Sequence, residues 1–130
     1  KNKLGNYYLY FAHHRGRYIR MAYADKLNGP WTEYKGGVLN IEGLIDAHHH
    51  IASPDIFINH QRKELRMYFH SPSHKKQEQW TFLATSNNGL VYSQYGSSPL
   101  GGSGSSNRTG IKSVTSNGSK SFPGVVPSSL

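Results

Sequence analysis

The densest concentration of chemically capable side chains in this 130-residue sequence is Asp46-Ala47-His48-His49-His50-Ile51-Ala52-Ser53-Pro54-Asp55. Asp55 heads the apolar run Ile56-Phe57-Ile58, and Pro54 just before it restricts Ser53 and fixes how the strand begins. A carboxylate held in one direction at a strand start is what general acid or base chemistry requires. The same position suits an Asp that only caps nearby backbone amides, and the residues alone leave both readings open. In an extended chain alternate side chains face opposite sides, so His48 and His50 are expected on one face and His49 on the other. Such imidazoles can bond a ligand hydroxyl, tune a carboxylate or coordinate a divalent ion. Their spacing matches no zinc pattern, so a hydrogen-bonding loop without metal is expected. His13, His14, His60, His70 and His74 fall at strand ends or in loops and read as solvent-facing.

The elements around this loop read as short strands. Tyr7 to Ala12 is aromatic and apolar throughout, Arg15-Gly16 breaks it, and Tyr18 to Ala24 resumes it. After the turn Asn28-Gly29-Pro30 comes Trp31 to Tyr34. Asp55 to Asn59, Glu64 to His70, Gln79 to Thr85 and Leu90 to Ser93 follow, separated by Gln61-Arg62-Lys63, the polar loop 71–78 and Asn87-Asn88-Gly89. Trp31, Trp80, Tyr68 and Tyr92 stand at strand positions, where aromatic side chains usually pack.

Composition divides the chain in two. Residues 96–130 hold eleven Ser, seven Gly and three Pro with no acid, too little apolar surface to offset the entropy of ordering, and predict a flexible tail. Residues 1–95 carry the strands and a net charge of +5 out of the chain's +8. There is no cysteine, which excludes disulfides and thiolate metal sites. No apolar run approaches the roughly 18 to 20 residues a membrane-spanning helix needs. The basic residues are scattered through turns, so a nucleic-acid partner is not expected.

Within residues 1–95 the order of elements recurs. Tyr10-Phe11 corresponds to Tyr68-Phe69, Ala22 to Ala84 and Gly29 to Gly89, at offsets of 58, 62 and 60. A repeat of four short antiparallel strands is the sequence form of a β-propeller blade, with the first unit lacking its innermost strand. The runs Tyr8 to His13, Ile19 to Asp25 and Leu27-Asn28-Gly29-Pro30-Trp31 resemble blades of the five-bladed propeller glycoside hydrolases of families 43, 32 and 117. Ile51 to Ile56 resembles the start of an innermost strand in these enzymes, and Leu83 to Leu90 resembles their outer turn, with Asn88 where an Asp is common.

The resemblance covers residues 7 to 95 and implies an all-β fold, a partial five-bladed propeller of under two four-stranded blades with a disordered Ser/Gly-rich tail. Residues 1–95 would form the propeller segment and 96–130 the tail. It implies a carbohydrate substrate, Asp55 as the catalytic carboxylate lining the funnel, and His48, His50 and Ser53 as substrate-binding residues. It implies no cofactor, beyond a divalent ion such as calcium in a complete propeller. Hydrolysis of a glycosidic bond takes two carboxylates across it, and the partner acids would lie on other blades. The fragment alone is therefore expected to be inactive. The alternative is a non-catalytic carbohydrate-binding propeller that kept the fold and lost the acids.

Overall fold

The computed structural model describes residues 3–102 and 125–127. The protein is all-β, as expected, with one 3₁₀ turn at Ile41–Gly43 and no α-helix among the described residues. Its strands are β1 (Tyr7–Ala12), β2 (Tyr18–Ala24), β3 (Thr32–Asn40), β4 (Ala52–Asn59), β5 (Glu64–Pro72), β6 (Gln79–Ser86), β7 (Ser93–Gln94), β8 (Gly101–Gly102) and β9 (Val125–Pro127). They form two antiparallel sheets, one in the order β3-β2-β1-β9 and one in the order β4-β5-β6-β7, with β8 also on β6. The two sheets do not close into a ring among the described residues.

Turn chemistry sets where the strands end. Gly16 donates to the His13 carbonyl at 2.9 Å, closing the hairpin between β1 and β2, and Gly29 donates to the Lys26 carbonyl at 2.9 Å before β3. Beyond β6, the Ser86 hydroxyl accepts from the Gly89 amide at 2.9 Å and the Asn88 side chain accepts from the Leu90 amide at 2.9 Å. These side-chain bonds satisfy amides that a strand would otherwise direct to a neighbour. For that reason the strand expected at Leu90 to Ser93 is reduced to Ser93–Gln94. The short strand expected at Trp31 to Tyr34 instead continues to Asn40.

The segment 96–130 differs from a wholly unpaired tail. Gly101 pairs with Thr81, and Val125, Val126 and Pro127 pair with Leu9, Tyr8 and Tyr7 on the outer edge of β1. In the second sheet the matching position, beside β5, is held by β4. The rest of the expected tail, 103–124 and 128–130, lies outside the described residues.

Strand periodicity decides which side chains meet between the sheets. Tyr8 and Tyr10 of β1 and Ile19 and Met21 of β2 face inward, opposite Ile56 of β4, Leu65, Met67 and Phe69 of β5 and Phe82 and Ala84 of β6. Phe69 and Phe82 stack at 5.6 Å. The Tyr10 hydroxyl crosses this interface and donates to the Gly89 carbonyl at 2.6 Å, fixing the first sheet to the turn after β6. Tyr92 meets the Tyr10 ring edge-on at 5.6 Å, and its own buried hydroxyl finds no partner of good geometry.

Tyr10→Phe removes the bond between the sheets while keeping the ring, and is expected to cost about 1 kcal/mol in urea unfolding. Gly89→Ala should cost more, since Gly89 sits at φ +79° and an added Cβ would lie 2.7 Å from the Tyr10 hydroxyl oxygen. In the Tyr10→Phe background the Gly89→Ala penalty should shrink, because that oxygen is gone.

Candidate functional site

Three connections meet at one end of the sheets: the β1–β2 hairpin, the passage from β3 to β4, and the hairpin between β5 and β6. The backbone joins them, with the Ile51 amide donating to the Gly16 carbonyl at 3.0 Å, His48 to the Pro72 carbonyl at 2.9 Å and His74 to the Asp46 carbonyl at 2.8 Å. Arg17 adds a bond from its guanidinium to the His49 carbonyl at 3.2 Å. The result is a basic, histidine-rich surface built from His14, Arg15, Arg17, the 48–50 triplet, His74 and Lys75.

Asp46 anchors the surface. One carboxylate oxygen accepts from the Ser73 hydroxyl at 2.6 Å and the other from the Lys75 amide at 2.8 Å. Partial burial alone would raise its pKa, but these two bonds, aided by the positive charge of Lys75 and His74, outweigh it and hold the carboxyl below its usual range. The sequence places imidazoles beside Asp46, whereas the bonds of its carboxylate run to Ser73 and Lys75. Its role is to tie the β3–β4 passage to the β5–β6 hairpin.

The histidine triplet departs from the extended form. His50 donates its amide to the His48 carbonyl at 2.8 Å, closing a three-residue turn about His49 at φ +72°. That turn reverses the expected alternation. His48 lies against His74, ring centroids 4.7 Å apart, and its amide also reaches the Ser71 hydroxyl at 3.1 Å. His50 instead meets His49, Nδ1 to Nδ1 at 2.9 Å. His48 and His50 therefore do not form one face. Burial lowers the His50 pKa, and His49, Arg15 and His14 lower it further.

Ser53 and Asp55 sit in the irregular first half of β4. The register with β5 shifts between Ala52 and Asp55, and Ser53 is exposed at φ +57°, not in the extended form its Pro54 neighbour favours. The bulge takes up that residue and returns Asp55 to pair with Tyr68. Asp55 thus lies on the face of the second sheet turned away from the first, half-buried. Burial pushes its carboxyl up, with the Ile56 amide opposing. Burial likewise raises the Tyr68 phenol, Arg66 drawing it back down and the Asp55 charge adding to the rise.

Other acids are engaged elsewhere. Glu33 accepts twice from Arg20, at 2.8 and 2.6 Å, Glu64 accepts from Arg66 at 3.0 Å, and Glu78 accepts from the Trp80 indole at 3.2 Å. Among the described residues no group of three or more His, Cys, Asp or Glu converges as a metal centre. A groove of about 370 Å³ lies between β3 and the residues before β7, lined by Gly37, Leu39, Leu44, Val91 and Tyr92, separate from Asp55. Sequence reasoning passed over Ser71 and Ser73, and it read His74 as solvent-facing, which it is, without placing it beside His48. The signal for them was that successive hairpins of an up-and-down sheet return to the same end.

The two aspartates should respond to pH in opposite senses. For Asp46, whose folded pKa is depressed, Asp46→Asn should lose stability at neutral pH, and the deficit should fade as pH falls through the folded pKa, below about 4. For Asp55, whose folded pKa is raised, ionisation opposes folding. Asp55→Asn should therefore match the parent at low pH and become more stable as pH rises through the folded pKa, above about 4. Urea midpoints of the two variants between pH 3 and pH 7 read both effects.

No family model matches the sequence, and no solved structure matches it. An uncharacterized protein of Acanthamoeba polyphaga mimivirus is 38% identical over 73 residues, which covers 49% of this chain and 20% of that protein. The chain thus matches a fifth of the length of that curated relative.

Proposed function

We propose that the chain is part of a carbohydrate-active protein of the propeller glycoside hydrolase type and contributes one carboxylate, Asp55, to glycosidic bond hydrolysis. The observation that carries the reading is the setting of Asp55. It is half-buried in the first half of β4, the edge strand of a five-stranded antiparallel sheet, with its carboxyl raised by burial. A carboxyl biased toward the protonated form suits a general acid, or a group that tunes a neighbouring acid.

The arrangement of the two sheets supports the same reading. Apart from β9 on the first and β8 on the second, each runs up and down in sequence order, and each packs one face on the other. Such stacking leaves the outer faces for further sheets. On the second sheet the outer face carries Asp55, Phe57, Arg66 and Tyr68. On the first it carries Phe11 and Tyr18, with the Arg20 guanidinium 5.2 Å from the Phe11 ring centroid. Flanking sheets in a longer chain would cover these faces and supply the second carboxylate that hydrolysis needs. The exposed Ser53 and the histidine surface would then meet substrate hydroxyls.

The alternative, a non-catalytic sugar-binding propeller, is favoured by the hydrogen-bonded state of Asp46, which leaves the histidine loop without a second free carboxylate.

In the complete protein, Asp55→Asn should lower turnover of a glycoside substrate by at least about 10²-fold, in the range of a lost general acid, with the folded structure retained. Near-normal turnover of that variant would overturn the assignment. Unchanged sugar binding, with no turnover in either protein, would favour the non-catalytic reading.

A further inference from the structure

Basic residues that the sequence scatters through turns come together in space, because the β1–β2 hairpin, the β3–β4 passage and the β5–β6 hairpin meet at one end of the sheets. Four fixed cations stand there, Arg15, Arg17, Lys75 and Lys76, all exposed. Three acids accompany them, and each is engaged. Glu42 lies 3.8 Å from Arg17, Asp46 accepts from Ser73 and the Lys75 amide, and Glu78 accepts from the Trp80 indole. The fixed charges therefore nearly balance at neutral pH. The histidines do not balance in the same way, since His13, His14, His48, His49, His50 and His74, six of the eight in the chain, belong to these three connections. All of the six except the part-buried His50 are exposed.

We propose that this end of the sheets binds an anionic polysaccharide through its carboxylate or sulfate groups, weakly at neutral pH and strongly in mild acid. Imidazoles change charge between about pH 5 and 8, and imidazolium, guanidinium and ammonium groups all form charge-assisted hydrogen bonds to such anions. The donors are spread over three connections rather than gathered round one point, which suits the repeating charges of a polymer better than a single small anion. The connections contain no Phe, Tyr or Trp on which bases could stack. Trp80 beside them has the Lys76 ammonium 5.4 Å from its ring centroid, so a single-stranded nucleic acid finds no open platform there. That the polyanion is a glycan rests on the carbohydrate-active reading above, whereas the charge and its response to pH do not.

The frame stays fixed while the histidines titrate. Burial acts to raise the Asp46 carboxyl, but the bonds from Ser73 and Lys75 and the charges of Lys75 and His74 hold it below its usual range. Asp46 therefore remains ionised in mild acid and keeps the β3–β4 passage joined to the β5–β6 hairpin. His50 resists protonation, because burial lowers its pKa and the like charges of His49, Arg15 and His14 lower it further. An anion bound against these groups opposes that repulsion, so binding and proton uptake favour each other and binding tightens as pH falls. The strands leading into the surface act in the same sense. They add His70, in register with Ala52 and Thr81, and Asp55, whose carboxyl burial raises, and both become less negative or more positive in acid. Arg20 of β2 is paired with Glu33.

The test titrates the full chain by calorimetry at pH 7.5 and pH 5.5 with heparin as the sulfated probe, polygalacturonate as the carboxylated probe, dextran as the neutral one and a DNA oligonucleotide. At least one of the two anionic glycans should bind, at least about tenfold more tightly at pH 5.5, and weaken at least about tenfold when salt rises from about 0.05 to 0.2 M. Which of the two binds more tightly identifies the acidic group, and dextran should not bind. The variant His14→Gln/His49→Asn/His74→Gln, with Asn at 49 because it tolerates the left-handed backbone, should reduce the pH response to less than about threefold. Arg15→Gln/Lys75→Gln should weaken binding at both pH values. His60→Gln/Arg62→Gln, on the β4–β5 hairpin at the opposite end of β5, should change it less than about twofold. The proposal is overturned if neither anionic glycan binds, if binding is the same at both pH values, if the β4–β5 variant loses as much as the others, or if DNA binds as tightly as the glycans. None of these results touches the turnover of Asp55→Asn, which tests the carbohydrate-active reading by itself.

Discussion

Tyr10 bears on nearly everything else in the molecule, because its phenol is buried between two sheets and still reaches a backbone carbonyl on the far one. Each sheet has an apolar face that it cannot leave in water, and the two faces cover each other through Tyr8, Tyr10, Met21, Met67, Phe69 and Phe82. Apolar burial of this kind is non-directional. The hydrogen bond to Gly89 adds the direction, setting the turn after β6 against β1. The Gly89 backbone must come close for that bond to form, which leaves no room there for a side chain. The Tyr92 hydroxyl nearby is the opposite case, a buried polar group with no hydrogen bond of good geometry, whose interaction with the Tyr10 hydroxyl compensates its desolvation poorly.

Much of the strand pattern was legible because aromatic and apolar runs broken by Gly, Asn and Pro leave few alternatives to short antiparallel strands. Tyr7 to Ala12, Tyr18 to Ala24 and Glu64 to His70 stand where their composition put them. Leu90 to Ser93 did not, since its composition favours a strand while the Asn88 side chain takes the Leu90 and Val91 amides first. Val125–Pro127 was invisible because three residues carry no periodicity, and what makes them a strand is the open edge of β1. The histidine triplet misled for a related reason. Alternation applies to extended backbone, and a single bond from His50 to His48 removes that condition.

The candidate site shows how one short passage can hold side chains of different function without mixing them. Asp46 is spent on structure, bonded to Ser73 and Lys75, while Asp55, nine residues later, keeps a carboxyl under the influence of burial. Two left-handed residues lie between them, His49 and Ser53. Neither is a glycine, and each such position costs of order 1–3 kcal/mol. Asp46 itself is a third such residue, and the remaining left-handed residues other than glycine among the described residues, Lys63 and Gln77, lie in the hairpin turns before β5 and β6.

The pairing of β9 with β1 has a consequence for how the protein folds. Tyr7 lies opposite Pro127, so the register joins residues far apart in the sequence, while every other pairing of strands among the described residues joins segments close in sequence. Closing so long a loop carries the largest entropic cost of any contact here and gains only three residue pairs, so it forms after the hairpins. Until it does, the edge of β1 is open to any strand that arrives first, and at high protein concentration that strand comes from another molecule. The order in which two edges find each other, rather than the final energy of the pair, then divides correctly closed chains from associated ones.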